Sequence, residues 1–182
     1  PPQAGKASAG SKQDWIQPMA FGPLNDRLLT MSDRTDEALY GAQVWDTVTG
    51  KPLLPPLRHT ASINWAGFSA DGNWIVTAGD DRACRLWDAH TGALKFHAIA
   101  HPDRVLMASF SHDGSRVYTA CIDGFVRIWD AATGEPLGAP IGLPVPSPYR
   151  PFALPLLGGR FLHQTSIYNI LWELPDTPRP LS

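Results

Sequence analysis

One dipeptide, Trp-Asp, recurs in this chain at a fixed spacing of 42 residues, at Trp45-Asp46, Trp87-Asp88 and Trp129-Asp130. Each of these aspartates is followed four positions later by the glycine of a Thr-Gly pair. A fixed period of roughly 20 to 50 residues indicates a repeat architecture, in which one small structural unit is copied along the chain. We therefore expect the fold to be assembled from such units.

Other residues recur with the same period. A shift of 42 residues carries His59 to His101, Phe68 to Phe110, Asp71-Gly72 to Asp113-Gly114, Thr77 to Thr119 and Asp81 to Asp123. Short apolar stretches lie between these markers, separated by turn-forming residues. In the central unit they are Ile63 to Phe68, Trp74 to Thr77, Ala83 to Trp87 and Leu94 to Ile99. The pattern predicts four short antiparallel strands in each unit, joined by hairpins.

A histidine early and a Trp-Asp pair late in each unit resembles the WD-repeat (WD40) family of β-propellers. The resemblance implies an all-β fold of about four four-stranded antiparallel blades, forming part of a larger ring. The expected blades are 15–58, 59–100, 101–141 and 149–174, between a flexible linker at 1–14 and a tail at 175–182. The units from His59 and from His101 carry the pattern apart from the glycine that usually precedes the histidine.

The first and last units are divergent. Thr30 and Trp45 lie five residues further apart than Thr77 and Trp87, which predicts an elongated hairpin within Ser32 to Gly41. Lys12 stands where the first unit would carry its histidine. The last unit has Gly158-Gly159 in place of Asp-Gly, ends in Trp172-Glu173 and lacks the early histidine, as is common in terminal repeats.

By the same resemblance, a Trp indole, a Thr hydroxyl, a His imidazole and a turn Asp form one hydrogen-bonded set across a blade. Two complete sets are expected, namely His59, Thr77, Asp81 and Trp87, and His101, Thr119, Asp123 and Trp129. Thr, His and Asp are also the residue types of a hydrolase triad, but catalysis needs one exposed nucleophile rather than two repeated sets. We therefore predict no catalytic residue, no cofactor and no metal site, and a protein that is not an enzyme.

Charge and composition exclude other classes. Fifteen Lys plus Arg against seventeen Asp plus Glu give a net charge of −2, which disfavours nucleic acid as a partner. No apolar run approaches the roughly 18 residues that span a bilayer, so no membrane contact is expected. Cys84 and Cys121 have no Cys-x-x-Cys spacing, which indicates buried thiols in a reducing compartment and predicts a cytoplasmic location.

Positions that differ between units while the framework repeats are candidates for partner contact. Trp15, Ser62 and Arg104 each lie six residues before an inner-strand Phe, whereas Asp80 and Ile122 precede the turn aspartates. Arg82, Phe125 and Tyr149 complete the candidate set. Trp15 could instead pack beneath a neighbouring blade, and Asp80 could be a solvated turn residue.

The resemblance implies a non-catalytic scaffold that presents a binding face to a protein or peptide partner. The alternative is a docking or sensor region of a larger bacterial signalling enzyme, such as a serine/threonine protein kinase whose catalytic domain lies outside this chain. The Thr-Gly-[Lys/Glu]-Pro-Leu phrase is similar to bacterial WD-repeat arrays, some of which are fused to such kinases. Because about four repeats are few for a closed ring, we expect a fragment of a larger propeller or self-association that closes the ring.

Overall fold

A computed structural model describes residues 16–34, 39–142, 152–156, 160–164 and 169–173, with side chains described for 20–31 and 40–142. Within these ranges the regular structure consists of fifteen β-strands arranged in four antiparallel sheets. The predicted linker, the tail, Lys12, Trp15 and Tyr149 lie outside the described residues.

The sheets follow one another along the chain, and each is built from consecutive strands. Sheet 1 contains β1 (Ile16–Phe21), β2 (Arg27–Arg34), β3 (Leu39–Asp46) and β4 (Leu57–His59). Sheet 2 contains β5 (Ile63–Phe68), β6 (Trp74–Gly79), β7 (Ala83–Asp88) and β8 (Ile99–Ala100). Sheet 3 contains β9 (Val105–Phe110), β10 (Arg116–Cys121), β11 (Phe125–Asp130) and β12 (Ile141–Gly142). Sheet 4 contains β13 (Phe152–Leu156), β14 (Arg160–Gln164) and β15 (Asn169–Glu173).

The expected all-β architecture of successive antiparallel sheets is confirmed. The described strands do not close a ring. The elongated first hairpin is visible as two strands of eight residues, β2 and β3, where β6 and β7 have six each. No helix in the described ranges could cross a bilayer.

The outermost strands are shorter than the sequence predicts. The expected strand from Leu94 to Ile99 is reduced to a single bridge between Trp87 and Leu94, followed by β8 at Ile99–Ala100. In sheets 1 and 3 the corresponding bridges fall at Pro52 and Pro136. Proline has no N–H to donate to a strand ladder, so it suits an edge position where pairing stops.

Apolar cores fill the spaces between neighbouring sheets, because alternate residues of a strand point to opposite faces. Between sheets 1 and 2 the buried residues are Leu29, Met31, Ala42, Val44, Leu54, Leu57, Ile63, Ala66, Ile75, Trp87 and Ala89. Between sheets 2 and 3 they include Val76, Ala78, Cys84, Leu86, Val105, Ala108 and Val117. A third cluster, with Met107, Tyr118, Ala120, Val126 and Ile128, lies on the far side of sheet 3. The repeat period therefore places one blade-to-blade core after another.

Successive turns of each sheet lie at opposite ends of its strands, so the molecule has two faces. We call the end with segments 60–62, 80–82, 102–104 and 122–124 the loop face. These segments are joined by hydrogen bonds such as His101 N to Arg82 O (2.9 Å) and Ile122 N to Arg104 O (2.9 Å). We call the other end, with segments 22–26, 47–50, 69–73, 89–92, 111–115 and 131–134, the turn face.

Candidate functional site

The first predicted polar set is assembled around Thr77. The Trp87 indole Nε1 donates to Thr77 Oγ1 at 2.8 Å, and the same oxygen lies 2.7 Å from His59 Nε2. On the other side of the imidazole, His59 Nδ1 lies 2.9 Å from Asp81 Oδ1. The structure thus brings all four residues of this set into one chain of hydrogen bonds.

The surroundings of His59 Nδ1 complete this set. That nitrogen lies 2.9 Å from Asp81 Oδ1 and 2.7 Å from Arg85 Nη1, which also donates to Asp81 Oδ2 at 2.7 Å. Burial lowers the pKa of His59 despite the carboxylate beside it. Burial alone would raise the pKa of Asp81, but hydrogen bonds from His59 and Arg85 outweigh it and hold that pKa well below its usual range. The set therefore holds a neutral imidazole against an ionised carboxylate.

This set joins two sheets rather than lying within one blade, which corrects the expectation from sequence. His59 is the last residue of β4 and pairs with Tyr40 in sheet 1, whereas Thr77 belongs to β6 of sheet 2. The predicted blade boundary between residues 58 and 59 accordingly falls inside β4. The histidine acts as a fastening between neighbouring blades.

The second set is connected differently. His101 Nε2 lies 2.8 Å from Thr119 Oγ1, which also accepts from Trp129 Nε1 at 2.8 Å. His101 Nδ1, however, donates to the carbonyl oxygen of Ile99 at 3.1 Å. The expectation that His101 bonds to Asp123 is therefore wrong. The Asp123 carboxylate instead accepts from Arg127 Nη2 at 2.7 Å and from Phe125 N at 3.1 Å.

A single repeat position accounts for the difference. Gly79 in β6 has no side chain, and a Cβ placed there would lie 2.9 Å from His59 Nδ1 and 3.2 Å from Asp81 Oδ1. The equivalent residue in β10 is Cys121, whose Sγ donates to Asp103 O at 3.2 Å. A side chain at this position occupies the space in which the His-to-Asp contact forms. The contact is therefore present beside Gly79 and missing beside Cys121.

Around Thr30 of sheet 1 the described residues supply only the tryptophan of such a set, with Trp45 Nε1 donating to Thr30 Oγ1 at 2.8 Å. In sheets 2 and 3 the threonine side chains are fully buried. A buried hydroxyl that already accepts one proton and donates its own is not available to attack a substrate. The repeated Thr and His residues thus serve blade packing. Among the described residues, no group of three or more His, Cys, Asp or Glu residues could hold a metal ion.

The loop face brings several candidate contact residues together. Asn64 Nδ2 donates to Asp80 Oδ1 at 2.7 Å and to Val105 O at 3.0 Å, so it links sheets 2 and 3. Arg104 Nη1 lies 3.8 Å from Asp80 Oδ2, and 45% of the Arg104 side chain is exposed. Asp80 is therefore a paired residue of this face rather than a merely solvated one. Sequence reasoning missed Asn64, although its repeat equivalent is the apolar Leu106.

Arg82 has an unusual backbone for its residue type. Its φ is +60°, and the equivalent residue in sheet 3 is Gly124, whose φ is +86°. The left-handed region costs a residue with a Cβ about 1 kcal/mol or more, and glycine adopts it freely. The Arg82 side chain is exposed on the loop face.

The remaining described candidates border the same surface. The Ser62 carbonyl accepts from Asp80 N at 2.8 Å, and Ile122 N donates to Arg104 O at 2.9 Å. Phe125 is exposed, and its ring lies 5.8 Å from the guanidinium of Arg127. The loop face therefore presents charged side chains of both signs next to an exposed aromatic ring.

Two segments, residues 51–88 and 93–130, match the family model described as "WD domain, G-beta repeat". No curated protein matches the sequence. Among solved structures, the chain is similar to a computationally designed protein, Ika8, with a TM-score of 0.63 and 21% sequence identity. The match covers 87% of this chain and 44% of the designed chain, so this chain spans less than half of that protein's length. At this identity the likeness shows the fold alone.

Proposed function

We propose that this chain, two segments of which match the WD40-repeat model, is a non-catalytic interaction module that binds a protein or peptide through its loop face. WD40 repeats generally mediate contacts between proteins. The observation that carries the proposal is the left-handed backbone of Arg82 at a position where the next repeat has glycine.

The repeats provide an internal comparison for this residue. The fold requires only a left-handed backbone at this turn, and glycine supplies it in sheet 3 without cost. Among the described residues, the Arg82 side chain makes no hydrogen bond or ion pair that would offset this strain. Strained residues of this kind cluster at functional sites, and Arg is enriched among the residues that dominate binding energy. The exposed guanidinium therefore suits contact with a partner.

The surroundings of Arg82 support the same surface. Arg104 and Asp80 come from neighbouring sheets and form a loose ion pair, which Asn64 helps to hold in place. Exposed charges arranged in this way contribute to partner choice and association rate more than to the stability of the fold. The patch, unlike the buried framework, is not repeated in sheet 3.

The experiment compares variants of the loop face with a matched control. Arg82→Gly and Arg104→Ala remove one exposed cation each, and Lys51→Ala removes an exposed cation on the turn face. The immobilised wild-type chain and the Lys51→Ala control should retain the same partner from a cell extract, and each loop-face variant should bind it about tenfold more weakly. A partner that binds all four chains equally would refute the proposal, provided unfolding curves show that all are folded.

We also propose that a second copy of the chain completes the ring. One face of sheet 1 is less covered than its counterpart in sheet 2: Leu28 and Trp45 are half-buried, whereas Ile75 and Trp87 are buried. Light scattering should give a particle of about twice 19.8 kDa. A monodisperse particle of 19.8 kDa would contradict this part of the proposal.

The docking or sensor role in a larger bacterial signalling enzyme stays a prediction from resemblance alone. Kinase motifs upstream in the parent gene would favour it, and a parent gene that encodes only WD40 repeats would exclude it.

We propose a cytoplasmic location because Cys84 and Cys121 are buried and unpaired. Burial raises the pKa of the Cys84 thiol, which keeps it unreactive. Cell fractionation with a tagged chain tests the location.

A further inference from the structure

The turn between β1 and β2 departs from its two repeats in a specific way. In sheets 2 and 3 a serine hydroxyl donates to an aspartate two residues later, from Ser69 to Asp71 at 2.5 Å and from Ser111 to Asp113 at 2.6 Å. In sheet 1 these two positions are Gly22 and Leu24. The backbone turn is nevertheless kept, since Gly22 N donates to Arg27 O at 2.8 Å, as Ser69 N donates to Trp74 O at 2.9 Å.

The exchange places apolar side chains in solvent. Leu24 is 83% exposed and Phe21, at the end of β1, is 62% exposed. Burying such side chains against another surface is worth on the order of 2 kcal/mol each, and leaving them exposed stabilises nothing. The substitution of a polar turn by an apolar one therefore has no explanation within the fold.

Two cavities adjoin this turn. One of about 360 Å³ lies along the inner strands and is lined by Phe21, Trp65 and Phe68 among others. The other, of about 220 Å³, lies on the turn face beside Leu24. Both are lined by Pro23 and Phe68, and Pro23 also approaches Gly72 in the neighbouring turn. Since a cavity of about 150 Å³ accommodates a benzene ring, the larger one has room for a bulky apolar side chain.

The margin of the smaller cavity is acidic. Asp26 and Asp71 line the smaller cavity, and hydrogen bonds from Ser69 and Asn73 lower the pKa of Asp71. Its one Lys or Arg residue, Arg27, is held by other groups: Nη1 donates to Ala89 O at 2.9 Å, Nη2 lies 3.2 Å from His90 Nδ1, and Nε lies 3.8 Å from Asp26 Oδ2. A cationic group on an approaching chain would therefore meet carboxylates rather than a free guanidinium.

We propose that this groove, formed by Phe21, Pro23, Leu24 and Phe68 and bordered by Asp26 and Asp71, binds a segment of a partner protein with one large apolar side chain flanked by Lys or Arg. The apolar side chain fills the larger cavity, and the cations pair with the acidic margin, which sets the orientation of the segment. The groove lies away from the loop-face residues Arg82 and Arg104, so it is a second interaction surface.

The test uses three fluorescent nine-residue peptides and the full chain, with fluorescence polarisation as the readout. The first peptide has a central Phe between lysines, the second replaces the lysines with glutamates, and the third replaces the Phe with Ala. We expect saturable binding of the first peptide, with affinity about tenfold higher than for either of the others. Equal affinity for the lysine and glutamate peptides would overturn the proposal.

Two variants and a control locate the binding. Leu24→Asp should weaken binding of the lysine peptide about tenfold, and Asp26→Lys should weaken it while strengthening binding of the glutamate peptide. The control is Val48→Asp, because Val48 is 89% exposed on the turn face and lines neither cavity. The control should bind like the wild type. Equal losses for Leu24→Asp and Val48→Asp would overturn the assignment to this groove.

Two further results separate this surface from the others. Arg82→Gly should leave peptide affinity unchanged, so the groove and the loop face can fail independently. If Leu24→Asp instead converts a dimer into a monomer in light scattering, the groove is occupied by a second copy and the proposed partner segment is refuted.

Discussion

His101 donates from its imidazole Nδ1 to the carbonyl oxygen of Ile99, two residues earlier in the chain and 3.1 Å away. The corresponding nitrogen of His59 faces Asp81 instead, at 2.9 Å. Both histidines keep the same contact to a buried threonine. The two repeats thus share the His-to-Thr contact but differ in the acceptor that faces His Nδ1. We attribute this difference to the residue at one repeat position, which is Gly79 in one repeat and Cys121 in the other.

The two turn aspartates should therefore differ in their contribution to stability. Asp81→Ala removes the carboxylate that pairs with both His59 and Arg85, in a site where only 4% of that carboxylate side chain is exposed. We expect a loss of about 2 to 3 kcal/mol in the free energy of unfolding. Asp123→Ala removes an ion pair with Arg127 in which 19% of the Asp123 side chain is exposed. This change should lower the free energy of unfolding by about 1 kcal/mol. Urea unfolding measures the loss in each variant. Equal losses would contradict the finding that His59 and His101 are connected to different acceptors.

Gly79→Ala should be disruptive. The new Cβ would lie 2.8 Å from the Ser62 carbonyl oxygen and 2.9 Å from His59 Nδ1, so the backbone or the imidazole must move. We expect a loss of about 2 kcal/mol or more, since overpacking and a broken buried hydrogen bond combine. The control is Gly67→Ala, whose Cβ would meet only Trp65 Nε1, at 3.6 Å. In thermal unfolding, Gly79→Ala should have a clearly lower melting temperature than the control. The reverse order would refute the claim that the His59–Asp81 contact needs a glycine at position 79.

Stability should fall on acidification through the two histidines. Burial lowers the pKa of His101 to about 4 from an ordinary value of 6.5, and lowers that of His59 as well. The unfolded chain binds these protons first, so stability that is fully present above pH 6.5 is lost as the pH falls from 6.5 towards 4. Each histidine contributes a slope of at most about 1.4 kcal/mol per pH unit.

Unfolding curves at a series of pH values in that range check this dependence. His101→Gln should reduce the slope. A slope unchanged by His101→Gln would mean that this imidazole is not held neutral in the folded chain.

Arg82 and Gly124 allow a reciprocal experiment. Arg82→Gly relieves a left-handed arginine and should leave the free energy of unfolding unchanged or raise it by up to about 1 kcal/mol. Gly124→Arg places an arginine in the equivalent turn and should lower it by about 1 kcal/mol. Differential scanning calorimetry would detect both. A clear destabilisation by Arg82→Gly would show that the arginine serves the fold, and the functional argument would lose its basis.

The 42-residue period was sufficient to predict the architecture, because each unit needs the same turns, the same alternation and the same buried polar group. Strand positions β5, β6 and β7 follow from apolar stretches bounded by turn residues. The short β8 could not be predicted from Leu94 to Ile99, since Leu94 makes a single bridge and stays exposed, whereas Phe96 packs against the core between sheets 2 and 3 without pairing as a strand. Local pattern does not distinguish these two uses of an apolar segment.

The site was less predictable than the fold. Sequence repetition placed His101 and Asp123 in a set like that of His59 and Asp81, but the contact depends on the volume at one neighbouring position. Asn64 and the backbone of Arg82 became visible only when two repeats could be compared in space. Repeat comparison residue by residue, rather than motif by motif, would have singled out Gly79, Asn64 and Leu24.

Hydrogen exchange on the chain bound to its captured partner tests the central claim most directly. If the loop face is the binding surface, amides in segments 80–82 and 102–104 should exchange more slowly in the complex, and Arg82→Gly should abolish that protection. A complex in which these segments exchange as in the free chain would contradict the account.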